Sequence, residues 1–130
     1  MDWMICVDDN NGVCFNNRRQ SRDRSVTEDM LATARGRLVM TPYTAKLFAD
    51  FADRVTVAEQ PETVAADGDT CVWEFPPPEG ISPERVVVYR WNRLYPADGH
   101  FAVPAGMTLQ HSTDFPGNSH DKITKEVWVR

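Results

Sequence analysis

Hydrophobic residues fall in short runs separated by polar turns, a pattern typical of an alternating α/β domain. Runs rich in β-branched and aromatic residues predict strands, at residues 3–7, 37–40, 54–57, 70–75 and 85–91. The run at 85–91 is the clearest, because its nearly continuous apolar character predicts burial on both faces of a sheet.

A first helix is predicted after the polar stretch 16–24 and should end near Gly36, a common C-terminal stop. Two starts are open. Ser25 and Glu28 match a capping box, whereas Ser21 as N-cap would place Asp23 in the first turn, where a carboxylate suits the helix dipole. The helix is indicated by apolar residues at helical spacing, namely Val26, Met30, Leu31 and Ala34.

A second helix is predicted to begin at Thr41, with Thr41 as N-cap and Pro42 at the first helical position. Its apolar face is broad and consists of Ala45, Leu47, Phe48, Phe51 and Ala52.

The last third of the chain predicts an antiparallel hairpin, with strands at 108–114 and 123–130 on either side of a Pro116-Gly117-Asn118 turn. The order of elements predicts a single α/β domain over residues 1–130. Its sheet of seven or eight strands should be mixed and mainly parallel, with a C-terminal antiparallel hairpin and two main helices.

Composition narrows the function classes. Of the 130 residues, 42% are hydrophobic and the formal net charge is −5. These values argue against disorder and disfavour binding to nucleic acid or to an anionic membrane. No stretch approaches the ~20 apolar residues of a membrane span, and the acidic N-terminus does not resemble a signal peptide. The three cysteines therefore indicate free thiols and a cytoplasmic location.

Four segments together carry a family resemblance. They are CVDDNNGV at 6–13, LVMTPYT at 38–44, RVVVYR through PADGHF at 85–101, and NSH at 118–120 before the last strand. In order and approximate spacing they resemble dihydrofolate reductase: the loop after its first strand, its V-I-M-G-R-x-T corner, its late strand with G-D-x-x-F-P, and its closing hairpin. The resemblance covers most of the chain and implies a dihydrofolate reductase-like fold.

The departures from that family fall where it holds NADPH. The resemblance places a glycine pair and a helix after the strand at 70–75, but residues 76–78 are three prolines, which contribute no N–H donors. Thr41 and Pro42 stand where the family has a glycine and a phosphate-binding arginine. The chain is also shorter between Val57 and Thr70. We therefore expect a shortened domain without the family's NADPH-binding segments and with no cofactor.

The family's substrate pocket uses one carboxylate on the first helix. Asp23 is the first candidate for this catalytic role and Glu28 the second. Such an acid would form paired hydrogen bonds to a pterin-like ring and relay a proton. The open alternative is a surface ion pair between Asp23 and one of three neighbouring arginines, Arg19, Arg22 or Arg24.

Candidate ligand-binding residues are Arg18, Arg19, Trp91 and Tyr43. Arginine forks bind phosphate or carboxylate, and Trp91 could stack on a flat ligand or belong to the core. The arginine-rich stretch lacks interleaved aromatic residues, so we expect no nucleic-acid partner.

The three histidines show no zinc-site spacing, so no metal is expected. They are His100, His111 and His120. Ser119 and His120 are predicted to point to opposite sides of an extended chain and to serve the hairpin turn.

The leading hypothesis is a cytosolic protein that is not a competent NADPH-dependent reductase and has a cleft for a small molecule. One alternative is a pterin- or folate-type reductase with an altered nucleotide site. Another is a partner-binding or homodimerising module, which predicts an exposed apolar patch.

Overall fold

The computed structural model describes residues 1–130. The strands are β1 Asp2–Val7, β2 Gly12–Phe15, β3 Arg18–Arg19, β4 Leu38–Met40, β5 Val55–Val57, β6 Thr70–Trp73, β7 Arg85–Arg90, β8 Gly99–His100, β9 Thr108–Phe115 and β10 Ile123–Val129. The α-helices are α1 Arg24–Thr33, α2 Pro42–Ala45 and α3 Pro61–Val64.

A seven-stranded sheet forms the centre, in the order β5-β4-β6-β1-β7-β10-β9. Its first five strands are mutually parallel, and β10 and β9 join antiparallel at one edge. This confirms the predicted mixed, mainly parallel sheet with a C-terminal antiparallel hairpin. A small sheet, β3-β2-β8, lies beside it.

Alternation along the central strands divides the core between the two faces of the sheet. On one face Met4 of β1 belongs to a cluster that includes Met30 of α1 and Tyr89 of β7. On the other face Trp3 and Ile5 belong to a second cluster. Central strands buried on both sides explain why β1 and β7 read as apolar runs.

The first helix has neither of the two starts considered from sequence. Asp23 is the N-cap: its backbone is extended and its side chain accepts a hydrogen bond from the N–H of Ser25. A carboxylate satisfies a free N–H at a helix start as well as a hydroxyl does. The predictions of Ser21 or Ser25 as the N-cap residue were therefore both wrong. The helix ends at Thr33, before Gly36.

The second predicted helix is broken. Thr41 caps α2 as expected, but residues 46–54 continue as 3₁₀ turns with non-helical backbone at Phe48 and Phe51. The apolar residues Ala45, Phe48 and Phe51 are three apart, which matches the three residues per turn of a 3₁₀-helix. Phe48 is completely buried, so packing decided the local geometry.

The connections that lead into β6 and out of it contain little helix. Only the single turn of α3 lies between β5 and β6, and residues 74–84 run from β6 to β7 without a helix. None of the helices is long and apolar enough to cross a membrane.

Candidate functional site

A small cavity lies between α1 and the sheet, where sequence reasoning expected a ligand cleft. It is lined by Val26, Thr27 and Met30 of α1, together with Phe48 and Trp91, among others. Its volume is about 30 Å³, room for about one water, whereas small-molecule pockets span ~300–1,000 Å³. The central cavity is therefore almost filled by side chains.

Asp23 borders this cavity, but its carboxylate is occupied by other groups. One oxygen accepts the N–H groups of Ser25 and Asn118, each at 2.9 Å. The other accepts the Ser119 N–H at 2.8 Å and lies 2.9 Å from His120 Nδ1. These bonds tie the start of α1 to the turn between β9 and β10.

The protonation of Asp23 follows from these contacts. Burial alone would raise its pKa, but the hydrogen bonds from Asn118, His120, Ser119 and Ser25 outweigh burial and hold the pKa well below its usual range. Asp23 is thus a carboxylate at neutral pH. The surface-pair alternative is wrong, because Asp23 is only 3% exposed and its partner is His120 rather than an arginine.

His120 extends the contact on the other side of its ring. Its Nε2 lies 3.1 Å from Ser21 Oγ and 3.0 Å from the Tyr95 hydroxyl. The ring stacks on Trp91, with centroids 4.6 Å apart and planes inclined by 22°. Four side chains from two segments distant in sequence, residues 21–23 and 91–95, therefore converge on one imidazole.

Sequence reasoning missed this cluster and misjudged Ser119. Ser119 Oγ lies 3.3 Å from His120 Nδ1, although the two side chains were predicted to point apart. Residues 118–120 form a bend rather than a strand, so the alternation of extended chain does not apply. The signal that could have located the cluster was the polar triplet at 118–120, set beside a hairpin turn.

An open groove of about 560 Å³ lies beside His120. Its lining is almost entirely polar: Arg19, Gln20, Ser21, Arg22, Arg93, Tyr95, Ser119 and His120. The guanidinium groups of Arg22 and Arg93 form no ion pair within the chain. We call this surface the arginine groove.

Gln20 lines both the central cavity and the arginine groove. Its Nε2 donates to Asp8 Oδ2 at 3.0 Å and to the Pro96 carbonyl at 3.2 Å. Both partners accept only, so the orientation of the amide is fixed. Its Oε1 is buried without a hydrogen-bond partner.

Arg19 and Tyr43 contact each other rather than a shared cleft. Arg19 forms a bidentate pair with Glu74, at 2.7 and 3.0 Å, and its guanidinium lies 4.1 Å from the centre of the Tyr43 ring. Tyr43 lines neither the central cavity nor the arginine groove. Arg19 lines the central cavity and the arginine groove.

The remaining candidates lie apart. Arg18 is exposed and lines neither space. Glu28 is exposed and lies 3.9 Å from Arg24 on the outer face of α1. Trp91 is buried, lines the central cavity and stacks on His120.

A third depression, of about 220 Å³, lies at the carboxyl ends of β4 and β6. Thr41 and Thr44 line it, together with Glu59, Glu62 and Glu74, and no lysine or arginine takes part. We call it the acidic depression. No group of three histidine, cysteine, aspartate or glutamate side chains comes together anywhere as a metal site.

Comparison with known proteins identifies the fold and no more. No family model matches the chain, and no curated protein matches it. Among solved structures it is similar to dihydrofolate reductase from Enterococcus faecalis, in a complex with NADP(H) and RAB-propyl, with a TM-score of 0.63 and 10% identity. The match covers 99% of this chain and 95% of that one. The chain therefore has a dihydrofolate reductase-like fold.

Proposed function

We propose that the protein binds a small anionic molecule in the arginine groove and does not work as an NADPH-dependent reductase. The observation that carries the proposal is the pair of unpaired guanidinium groups, Arg22 and Arg93, in an open polar groove of a protein with net charge −5. Most other arginines of the chain already have a carboxylate partner, so these two are available to a ligand.

The small size of the central cavity supports the second part of the proposal, that the protein does not work as an NADPH-dependent reductase. A reductase of this fold needs space for a substrate ring beside α1 and an acid facing that space. The cavity measures only about 30 Å³, and the Asp23 carboxylate is already engaged by Asn118, Ser119 and His120. On α1, the polar residue that lines the cavity besides the capping Asp23 is Thr27.

The acidic depression supports the same conclusion for the cofactor. A dinucleotide phosphate needs N–H donors and cations around its phosphates. The depression is instead lined by Glu59, Glu62 and the Arg19-paired Glu74, and the prolines at 76 and 78 that line it carry no N–H. These residues do not fit NADPH, and the corner at Thr41 and Pro42 offers no arginine in compensation.

The expected ligand follows from the arginine groove. Two guanidinium groups without an ion-pair partner favour a carboxylate or phosphate on the ligand. We place the protein in the cytosol, which its three unpaired thiols favour.

The two alternative functions stay as predictions. A reductase with an altered nucleotide site is tested by titration with NADPH. A homodimerising module is tested by light scattering of the native chain.

Calorimetry on the whole chain tests both halves. We expect no saturable heat with NADPH and saturable binding of citrate. Citrate affinity should fall at least about tenfold in Arg93→Ala, because one charged hydrogen-bonding partner is lost. Arg18→Ala is the matched control, since Arg18 is an exposed arginine outside the groove. Saturable NADPH binding, or equal citrate binding by the two variants, would overturn the proposal.

A further inference from the structure

We propose that Ser21 is a nucleophile, activated by His120 and Asp23, that hydrolyses carboxylic esters bearing a negatively charged group. The preference for an anionic ester rests on the proposed function of the arginine groove. The reaction itself rests on the geometry of three side chains.

The atoms are ordered as in a serine–histidine–aspartate triad. Asp23 Oδ2 lies 2.9 Å from His120 Nδ1, and His120 Nε2 lies 3.1 Å from Ser21 Oγ. The nucleophile and base are within hydrogen-bond reach, and the base is oriented by a third group. Burial of His120 and its stacking on Trp91 fix the plane of the ring.

The hydrogen-bond pattern determines which nitrogen acts as the base. An ionised Asp23 only accepts, so the proton of neutral His120 lies on Nδ1 and Nε2 presents a lone pair. The Tyr95 hydroxyl lies 3.0 Å from Nε2 and 3.3 Å from Ser21 Oγ, so its single proton can go to either atom. In the arrangement that activates Ser21, Tyr95 donates to Ser21 Oγ and Ser21 directs its own proton at Nε2.

Access favours Ser21 as the group that meets a substrate. The His120 side chain is 2% exposed, whereas Ser21 is partly exposed and lines the arginine groove. Arg22 and Arg93 in the same lining would hold the charged end of an ester. The backbone N–H groups of Ser21 and Arg22 donate no hydrogen bond within the chain, so they are free to stabilise a developing oxyanion.

The chemical steps balance without any further reactant besides water. Ser21 Oγ bonds to the ester carbonyl carbon while its proton passes to His120 Nε2. The imidazolium returns that proton to the alcohol oxygen as the ester C–O bond breaks, leaving acyl-Ser21. Water then attacks the acyl carbon, and its proton passes through Nε2 to Ser21 Oγ as the acid is released. Ester and water become acid and alcohol.

The test uses the whole chain with the mono-para-nitrophenyl ester of terephthalic acid, whose carboxylate is held too far from the ester to attack it. We expect release of nitrophenolate and, by mass spectrometry of peptides from the digested protein, a 4-carboxybenzoyl group on Ser21. Ser21→Ala should slow the release at least about 100-fold. Ser112→Ala is the control, because Ser112 is an exposed serine on the edge strand β9, and it should match the wild type.

Acylation of another residue instead of Ser21, or release of nitrophenolate by Ser21→Ala at the wild-type rate, overturns the assignment of Ser21 as the nucleophile. The labelling site in the wild type decides the matter even if a variant folds poorly. A wild type that binds citrate but is never acylated overturns this inference alone. One that is acylated on Ser21 equally fast by para-nitrophenyl acetate, with no citrate binding, overturns the anion preference and with it the proposed ligand class.

Discussion

Asp23 and His120 are joined by a contact of 2.9 Å between two side chains that are almost completely inaccessible to solvent. The contact links the start of α1 to the turn that precedes β10. It is a tertiary link, since the residues are 97 positions apart. The same carboxylate also accepts the N–H groups of Asn118 and Ser119, so we call these four residues the hairpin latch.

Asp23→Asn should destabilise the protein by about 2–4 kcal/mol, because the amide nitrogen would face N–H donors and leave at least one buried donor without an acceptor. Asparagine is itself a good N-cap, so the loss would come from the hairpin latch rather than from α1. Urea unfolding followed by tryptophan fluorescence measures it. Glu28→Gln, an exposed carboxylate on the same helix, should keep the wild-type midpoint. Equal midpoints would contradict a stabilising role for the latch.

Local pattern was enough for much of the sheet. Strands β1 and β7 were predictable because strands buried on both faces leave continuous apolar runs. The hairpin β9–β10 was predictable because a Pro-Gly-Asn turn stands between two segments with β-type residues. The same periodicity failed over residues 46–54. There the requirement to bury Phe48 produced 3₁₀ turns that a helical pattern does not distinguish.

The candidate site was predictable only in part. Asp23 could be chosen because the family resemblance calls for a carboxylate on the first helix and Asp23 lies near the start of that helix. Its partner could not, because His120 becomes its neighbour only after the sheet has brought the last hairpin beside α1. The arginine groove has the same origin: Arg22 and Arg93 come from two loops whose proximity no local pattern encodes.

Low pH should lower the free energy of unfolding, in part because Asp69 becomes protonated. Two guanidinium N–H groups of Arg37 donate to Asp69 Oδ2, and together with the backbone N–H groups of Ala66 and Arg37 they lower the pKa of Asp69 to about 2 despite its burial. An unfolded aspartate titrates near ~3.9, so the unfolded state binds more protons between these values. The stabilisation is therefore complete above about pH 4 and is lost as the pH falls towards 2.

Asp69→Asn tests this linkage. Its urea midpoint should lie below that of the wild type at pH 6, and the difference should shrink as the pH falls from 4 to 2.5. Asp67→Asn, an exposed aspartate in the same turn, should follow the wild type at every pH. A difference between Asp69→Asn and the wild type that stays constant down to pH 2.5 would contradict the assignment.

The three thiols should react slowly in the native protein. Burial raises the pKa of Cys71 to about 11, and burial also raises the pKa of Cys6 and of Cys14. Because the thiolate is the reactive form, titration with Ellman's reagent at pH 8 should release little colour natively and three equivalents in urea. Rapid release of one equivalent without urea would show that a thiol is accessible and more acidic than this structure implies.

Gly117 should not tolerate a side chain. A Cβ at this position would lie 2.7 Å from Asp23 Oδ2 and 2.7 Å from the carbonyl oxygen of His120, both part of the hairpin latch. Gly117→Ala must therefore displace the turn from α1, at a cost of about 1–3 kcal/mol. It should also separate His120 from Asp23. Urea unfolding measures the cost.

Asn118→Ala is the matched control for Gly117→Ala. The latch uses only the backbone N–H of Asn118, which alanine retains, so its stability should stay within about 0.5 kcal/mol of the wild type. If both variants unfold at the wild-type midpoint, the turn is not held against Asp23 in solution. The triad geometry at Ser21 would then lose its support as well, because His120 owes its position to the same turn.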